Sequence, residues 1–423
     1  MFDLPNFNSQ DLILGSNITG NKHVGMKDPG IRHLEHVTSN QANDDKKLAK
    51  DSQAKLKNTV NELPNFIRDY IAFHKSSCNK PVYENKYMIF TEKHDFAGGG
   101  IGDRLRGLVF TFFWAIATNR TFLIYWDNPF NLTEVFQPAT DLDWNCNIEE
   151  AFNRSTFFYL PNAKEIAKYS EKFNSGENWP AFTAVQTNYH AMYVPKKYPK
   201  PMKELFQREK VSLHSLSLFE IAFNALLKPS KALTQRLMEM RSAIGLKDQQ
   251  PYITMHLRMG KAGNVTWKDP PRSRPEDIPK LLKCGRKLRR DYSKKFDIPQ
   301  EELPLVFLTD SQESKQRVAA ENSDIRTFDS EIIHIDKHVK NIEAAPKQGY
   351  IDAWAEFLLI RESRCIFIPG GLRAPTSSPG QGHDSAGLGN NATANGAVAT
   401  LGHVLWRGLY DTGAVLSSVL RLH

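Results

Sequence analysis

At 423 residues the chain is too long for a single small module and accommodates two domains of ordinary size. Hydrophobic residues make up 40% of it and charged residues 24%, a balance that excludes wholesale disorder. Lys and Arg outnumber Asp and Glu by 55 to 47, giving a net charge of +8. That excess is no nucleic-acid signature by itself, but it suits an anionic ligand such as a phosphate. No run approaches the ~18 apolar residues of a transmembrane helix, and the amino terminus lacks the basic-then-apolar layout of a signal peptide.

Residues 1–65 are polar, with little hydrophobic periodicity, and read as a disordered stem or linker. The organised chain is expected to begin near Tyr87-Met88-Ile89-Phe90, a short apolar run suited to a buried strand. A glycine-dense turn follows, Phe96 to Asp103. Next comes Arg104–Thr118, apolar almost all round, as in a helix packed on both sides. Thr121–Trp126 is a second apolar strand. It closes a strand–Gly loop–helix–strand unit and points to a parallel sheet.

From 127 to 204 no clear period emerges. Ser215–Leu227 and Ala232–Ile244 read as helices separated by Pro229. The alternating rhythm then returns, with strands at Tyr252–Arg258, Leu305–Asp310 and Cys365–Ile368. Helices are expected at Glu276–Phe296, Gln312–Asn322 and Tyr350–Glu362. The economical architecture is α/β, with one domain at 66–245 and a second at 246–370. Residues 371–423 form an irregular Gly/Ala-rich tail. The four cysteines, Cys78, Cys146, Cys284 and Cys365, lack zinc-ligand spacing and allow three disulfide pairings. Asn-x-Ser/Thr sequons at Asn17, Asn119, Asn131, Asn153, Asn264 and Asn391 hint at a secretory route.

Sheets of this kind bind ligands at the carboxyl ends of their strands, and the informative residues fall there. In the loop Gly98 to Arg104, Gly99, Gly100 and Gly102 let backbone N–H groups approach an anion at a helix start. The spacing is neither a Walker A motif nor a full GxGxxG, and a plain tight turn is the alternative. His256-Leu257-Arg258-Met259-Gly260 ends a strand whose alternation puts His256 and Arg258 on one face. Arg supplies the bidentate fork that phosphate oxygens accept, and the alternative is an ordinary salt bridge. Asp310 closes the next strand, where a carboxylate either accepts N–H bonds from guanine or caps the following helix. Asp141-Leu142-Asp143 has the DxD spacing of a divalent-ion site, with a solvated turn as the alternative.

The ordered set GGGIGDRLRG, VFTFFWAIATNRTFLIYW, HLRMG and VFLTDS resembles the GDP-fucose-dependent fucosyltransferases, over residues 85–370. That superfamily includes α-1,2-, α-1,6- and protein O-fucosyltransferases. The resemblance implies a GT-B-like fold, two Rossmann-like domains facing across a cleft. It also implies inverting transfer of L-fucose from GDP-β-L-fucose to a glycan or glycoprotein hydroxyl. No cofactor and no metal are expected, which disfavours an ion at Asp141 and Asp143. Arg258 matches the motif arginine that grips the pyrophosphate, His256 the motif histidine that contacts the nucleotide, and Asp310 the aspartate at the guanine. Gly99, Gly100, Gly102, Asp103 and Arg104 match the glycine loop bordering sugar and acceptor. Residence in the Golgi lumen or secretory pathway is implied too, with membrane attachment only through an anchor that this chain lacks.

Three departures bear on that reading. Lys261 follows Gly260 where the family often has Asp or Asn; a lysine there faces phosphate but serves as no base. No glutamate occurs in Ala262–Lys268, where core α-1,6 enzymes carry one. After Ile368 the family's Ser-rich turn ending in Phe is replaced by Pro369-Gly370-Gly371-Leu372-Arg373, through divergence or a misread last exon. Asp103 is the first choice for a base, with helix capping as its alternative. The rival function is a non-catalytic protein that keeps the fold and a sugar-nucleotide pocket.

Overall fold

A computed structural model describes residues 63–92, 100–160, 163–174, 180–187, 198–211, 215–260, 273–330 and 346–367. Helix α1 (Asn65–Cys78) buries Phe66, Ile67, Tyr70, Ile71 and His74, which recur at helical spacing. Tyr70 ties it to the sheet, donating to the Arg120 carbonyl and accepting from the Phe122 amide. β1 (Tyr87–Glu92), α2 (Ile101–Ala117) and β2 (Thr121–Trp126) form the expected strand–Gly loop–helix–strand unit. The strands pair in parallel, Tyr87 opposite Thr121 and Glu92 opposite Trp126.

The unpatterned stretch proves to be structured. It holds β3 (Phe136–Pro138), α3 (Ile148–Asn153), β4 (Thr156–Leu160), α4 (Ala163–Asn174), β5 (Phe182–Thr187) and the start of α5 (Lys200–Arg208). β4 and β5 complete a four-stranded parallel sheet of order β2-β1-β5-β4. α6 (Ser215–Leu226) leads into β6 (Leu227–Pro229), which pairs antiparallel with β3, and Ser230 caps α7 (Lys231–Ala243).

The second half adds β7 (Ile253–Leu257), α8 (Ile278–Phe296), β8 (Leu305–Thr309), α9 (Gln312–Glu321), β9 (Ile325–Arg326), α10 (Lys347–Glu362) and β10 (Cys365–Phe367). Its sheet is again parallel, in the order β10-β7-β8-β9. Two parallel sheets built from strand–helix units make the fold α/β, as the sequence pattern predicts.

Both faces of the second sheet are covered. Ile253, Met255, Leu257, Leu305 and Phe307 meet Ile278, Leu281 and Leu282 of α8. Val306 and Leu308, on the other face of β8, belong to the aromatic core that also covers the first sheet. α10 joins the two sheets: Trp354 lies 5.8 Å from Trp126 and 4.9 Å from Phe136, and Tyr350 lies 5.3 Å from Phe130, ring centre to ring centre.

α2 is apolar all round because it runs between the first sheet and helices α5 and α6. Gly107 sets how close it comes. A Cβ there would stand 2.1 Å from the Thr187 carbonyl oxygen of β5 and 3.0 Å from the Phe90 ring. Backbone cannot step aside as a side chain can, so Gly107→Ala should cost at least the ~1–3 kcal/mol typical of overpacking. Gly285→Ala meets instead the flexible Met255 side chain, at 2.0 Å, and should cost less. Denaturant unfolding of the two variants checks this; equal losses would refute it.

Candidate functional site

At the carboxyl edge of the second sheet, β7 and β8 run in register, with Leu257 opposite Thr309. The residues just beyond them, Arg258 and Asp310, therefore emerge side by side. The Asp310 carboxylate accepts from the Met259 amide at 2.6 Å with one oxygen and from the Gly260 amide at 3.0 Å with the other. Gly260 turns the loop at φ +82°, a backbone region that favours glycine. Arg258 Nε stands 4.0 Å from Asp310 Oδ2, and both side chains keep partial exposure. Asp310 thus clamps the loop that carries Arg258. Capping of α9 falls to Ser311, whose hydroxyl accepts from the Ser314 amide, so the capping alternative for Asp310 is not what the structure uses.

His256 shares this edge. Burial pushes its pKa down, partly offset by the negative charges of Asp310 and Glu356. A neutral imidazole, able to donate from one nitrogen and accept at the other, is the resulting form. Behind it lies a group the sequence pattern did not single out. Lys315 Nζ, almost wholly buried, donates to Ser330 Oγ at 2.6 Å and pairs with Glu356 Oε1 at 3.2 Å. The lysine sits in an ordinary-looking helical segment, and only the fold brings Glu356 to it.

The carboxyl edge of the first sheet collects a second polar group. Gly100 is the N-cap of α2 in an extended conformation and makes no side-chain cap bond. Gly102, in the first turn of the helix, is buried. Asp103 does not cap it; its Oδ1 accepts from Arg106 Nη1 at 3.1 Å. Arg104 is wholly buried. Its guanidinium donates to the Asn128 carbonyl, lies over Trp126 and approaches Glu92 Oε2 at 3.8 Å. In this structure Arg104 meets protein groups on every side. Gly99 and Lys261 lie outside the described residues.

Glu92, the last residue of β1, is the carboxylate the motif reading missed. It is 1% exposed, and neither oxygen makes a hydrogen bond of normal geometry. Burial pushes its pKa up to about 7, against the lowering influence of Arg104 and, more weakly, of Gln186. A glutamate ending a fully buried strand was the available sequence signal, because a charge there must be paired or neutral.

One helix connects the two edges. On α10, the buried hydroxyl of Tyr350 feels the charge of Arg104, and Glu356 feeds the electrostatics of His256. Six positions separate these residues in sequence, about 9 Å along a helix axis.

The DxD pair is elsewhere. Asp141 pairs with Lys75 at 2.8 Å, and Asp143 accepts from the Asn145 amide at 3.1 Å. Both lie beside α1 and the middle of β2, where the Ile124 amide donates to the Trp144 carbonyl. Each acid thus has a local partner, in keeping with a turn.

The class defined so far is an α/β protein with two parallel four-stranded sheets and charged side chains gathered at their carboxyl ends. Neither a protein-family model nor a curated protein matches the sequence. Solved structures similar to it include NodZ α-1,6-fucosyltransferase co-crystallised with GDP, at 16% identity over 69% of this chain and 89% of that one, with a TM-score of 0.42. Another is an Arabidopsis thaliana FUT1 mutant in complex with GDP, at 13% identity, 71% and 73% coverage and a TM-score of 0.48. A third is NodZ from Bradyrhizobium, at 14% identity, 69% and 90% coverage and a TM-score of 0.40.

Proposed function

We propose that the chain is an inverting glycosyltransferase that moves L-fucose from GDP-β-L-fucose to a hydroxyl of a glycan or glycoprotein. The observation that carries the reading is the HLRMG loop, clamped by Asp310 so that Arg258 projects from the end of a parallel strand. Domains at 66–245 and 246–370 face each other across a cleft in this reading, with the donor held mainly by the second.

Negative charge grows on the diphosphate as the fucosyl–oxygen bond breaks. A fixed guanidinium at Arg258 then stabilises the transition state more than the ground state. Neutral His256 contributes a hydrogen bond without competing for the proton, Lys261 adds positive charge near phosphate, and Asp310 keeps its place beside guanine. Gly99, Gly100 and Gly102 border the sugar. Asp103, the more exposed of the two first-sheet carboxylates, takes the acceptor's proton, while Glu92 holds Arg104 behind it. No metal is needed in this scheme. The Cys78–Cys146 disulfide is in keeping with a secretory compartment such as the Golgi lumen.

The test is calorimetric titration of the full chain with GDP, GDP-fucose and UDP in buffer containing EDTA. Micromolar binding of GDP with little binding of UDP is expected, followed by fucosyl transfer in an acceptor screen. A folded chain that binds no GDP overturns the proposal, and transfer that requires Mn²⁺ overturns its metal-free form.

A further inference from the structure

The Cys78–Cys146 pair carries a feature that a purely structural cross-link does not call for. His74 and Cys78 lie one helical turn apart on the same face of α1. His74 is wholly buried, and its Nε2 lies 2.7 Å from the Phe122 carbonyl oxygen. A carbonyl can only accept, so Nε2 carries the hydrogen and Nδ1 presents a lone pair. That lone pair faces Cys78 Sγ at 3.4 Å. In the disulfide, Sγ has no hydrogen to give, and an acceptor is left pointing at sulfur. Burial also holds the imidazole neutral, the form that ligates metal.

We propose that, once the disulfide is reduced, His74 Nδ1, Cys78 Sγ and Cys146 Sγ form a site for a thiophilic divalent cation, Zn²⁺ being the natural occupant. Three observations converge on it. The three ligand atoms lie within 4.8 Å of one another. The cysteine Cα atoms are 5.8 Å apart, so both sulfurs reach one ion without moving the backbone. The bond from His74 Nε2 to a backbone carbonyl is the outer contact that orients a metal-bound imidazole. The fourth position is left to water, with the charge of Asp143 acting on His74 from nearby.

The chemistry balances simply. A thiol or phosphine reductant supplies two electrons, two protons complete the thiols, and Zn²⁺ displaces those protons on binding as two thiolates. The pair would thus be a disulfide in an oxidising compartment and a metal site in a reducing one. It lies beside the amino half of β2, apart from the strand ends to which donor binding is assigned, and is independent of that assignment.

The test is Co²⁺ titration of the full chain kept reduced with a phosphine. One Co²⁺ per chain is expected, with thiolate-to-cobalt charge-transfer absorption and tetrahedral d–d bands, and Zn²⁺ should displace it. The oxidised protein and a Cys78→Ser/Cys146→Ser variant, which retain the other cysteines, should lack these bands. His74→Ala should weaken binding by roughly tenfold or more, and His74→Cys should restore it. If reduction unfolds the chain, Zn²⁺ should recover its near-ultraviolet circular dichroism. The proposal fails if the reduced chain gives no thiolate–cobalt band, if His74→Ala binds as tightly as the parent, or if a reduced, unfolded chain stays unfolded with Zn²⁺.

Discussion

Arg258→Ala is expected to abolish fucosyl transfer and to weaken GDP binding by roughly 1.5–3 kcal/mol, the range for a lost charge-assisted hydrogen bond. That is about 10- to 150-fold in Kd. The loop that carries Arg258 should keep its shape, because its backbone is held independently of the arginine side chain. Met259 and Gly260 remain anchored to Asp310 without the guanidinium. Because the Arg258 side chain is only 17% exposed, stability should fall as well, by the ~0.5–3 kcal/mol usual for a single substitution, so GDP affinity is compared on folded protein. Arg258→Lys keeps the charge but loses the two-pronged fork, so it should recover part of the binding and less of the rate. The rate should suffer more than the affinity, since diphosphate charge is greatest in the transition state. Calorimetry with GDP, beside a transfer assay, separates the two. Unchanged GDP affinity in a folded Arg258→Ala protein removes the arginine from the donor site.

How much of this was readable in the sequence depends on what each segment packs against. Strands covered on both faces, such as Thr121–Trp126 and Leu305–Thr309, are unbroken apolar runs and announce themselves. β4 is only half-buried: Phe157 and Phe158 pack against separate hydrophobic clusters at partial exposure, and Tyr159 is exposed. Its run, Thr156-Phe157-Phe158-Tyr159-Leu160, lies among Asn and Pro and so lost its contrast. α1 was overlooked for a related reason: its polar face continues the composition of the chain before it. The pairing of His256, Arg258 and Asp310 was accessible because all three sit at predicted strand ends. What Asp310 does there was not, because its partners are backbone amides that no side-chain pattern encodes. Glu92, Lys315 and His74 act through partners remote in sequence, respectively Arg104, Glu356 and the Phe122 carbonyl. Such pairings follow from the fold rather than from spacing.

Glu92→Gln should remove a pH dependence of stability that the parent shows between pH 5 and 8. In the unfolded chain the carboxyl titrates near 4.5, whereas burial in the folded protein raises its pKa to about 7. Between those values the folded state holds the proton and the unfolded state does not, so stability falls as pH rises. The penalty is absent below the unfolded value and complete above the folded one. A shift of this size corresponds to about 3 kcal/mol. Arg104 keeps the penalty from growing further, since its guanidinium lies 3.8 Å from the ionised oxygen. Glutamine reproduces the neutral, protonated form at every pH and cannot titrate. The stability difference between variant and parent should therefore move in the variant's favour by up to about 3 kcal/mol as pH rises from 5 to 8. Because both proteins share every other titrating group, that difference isolates Glu92 even if loss of the charge beside Arg104 lowers the variant's stability throughout. Urea unfolding at a series of pH values measures it. Parallel curves for the two proteins would mean that Glu92 is ionised in the folded chain across the range, paired with Arg104 as an ordinary buried salt bridge.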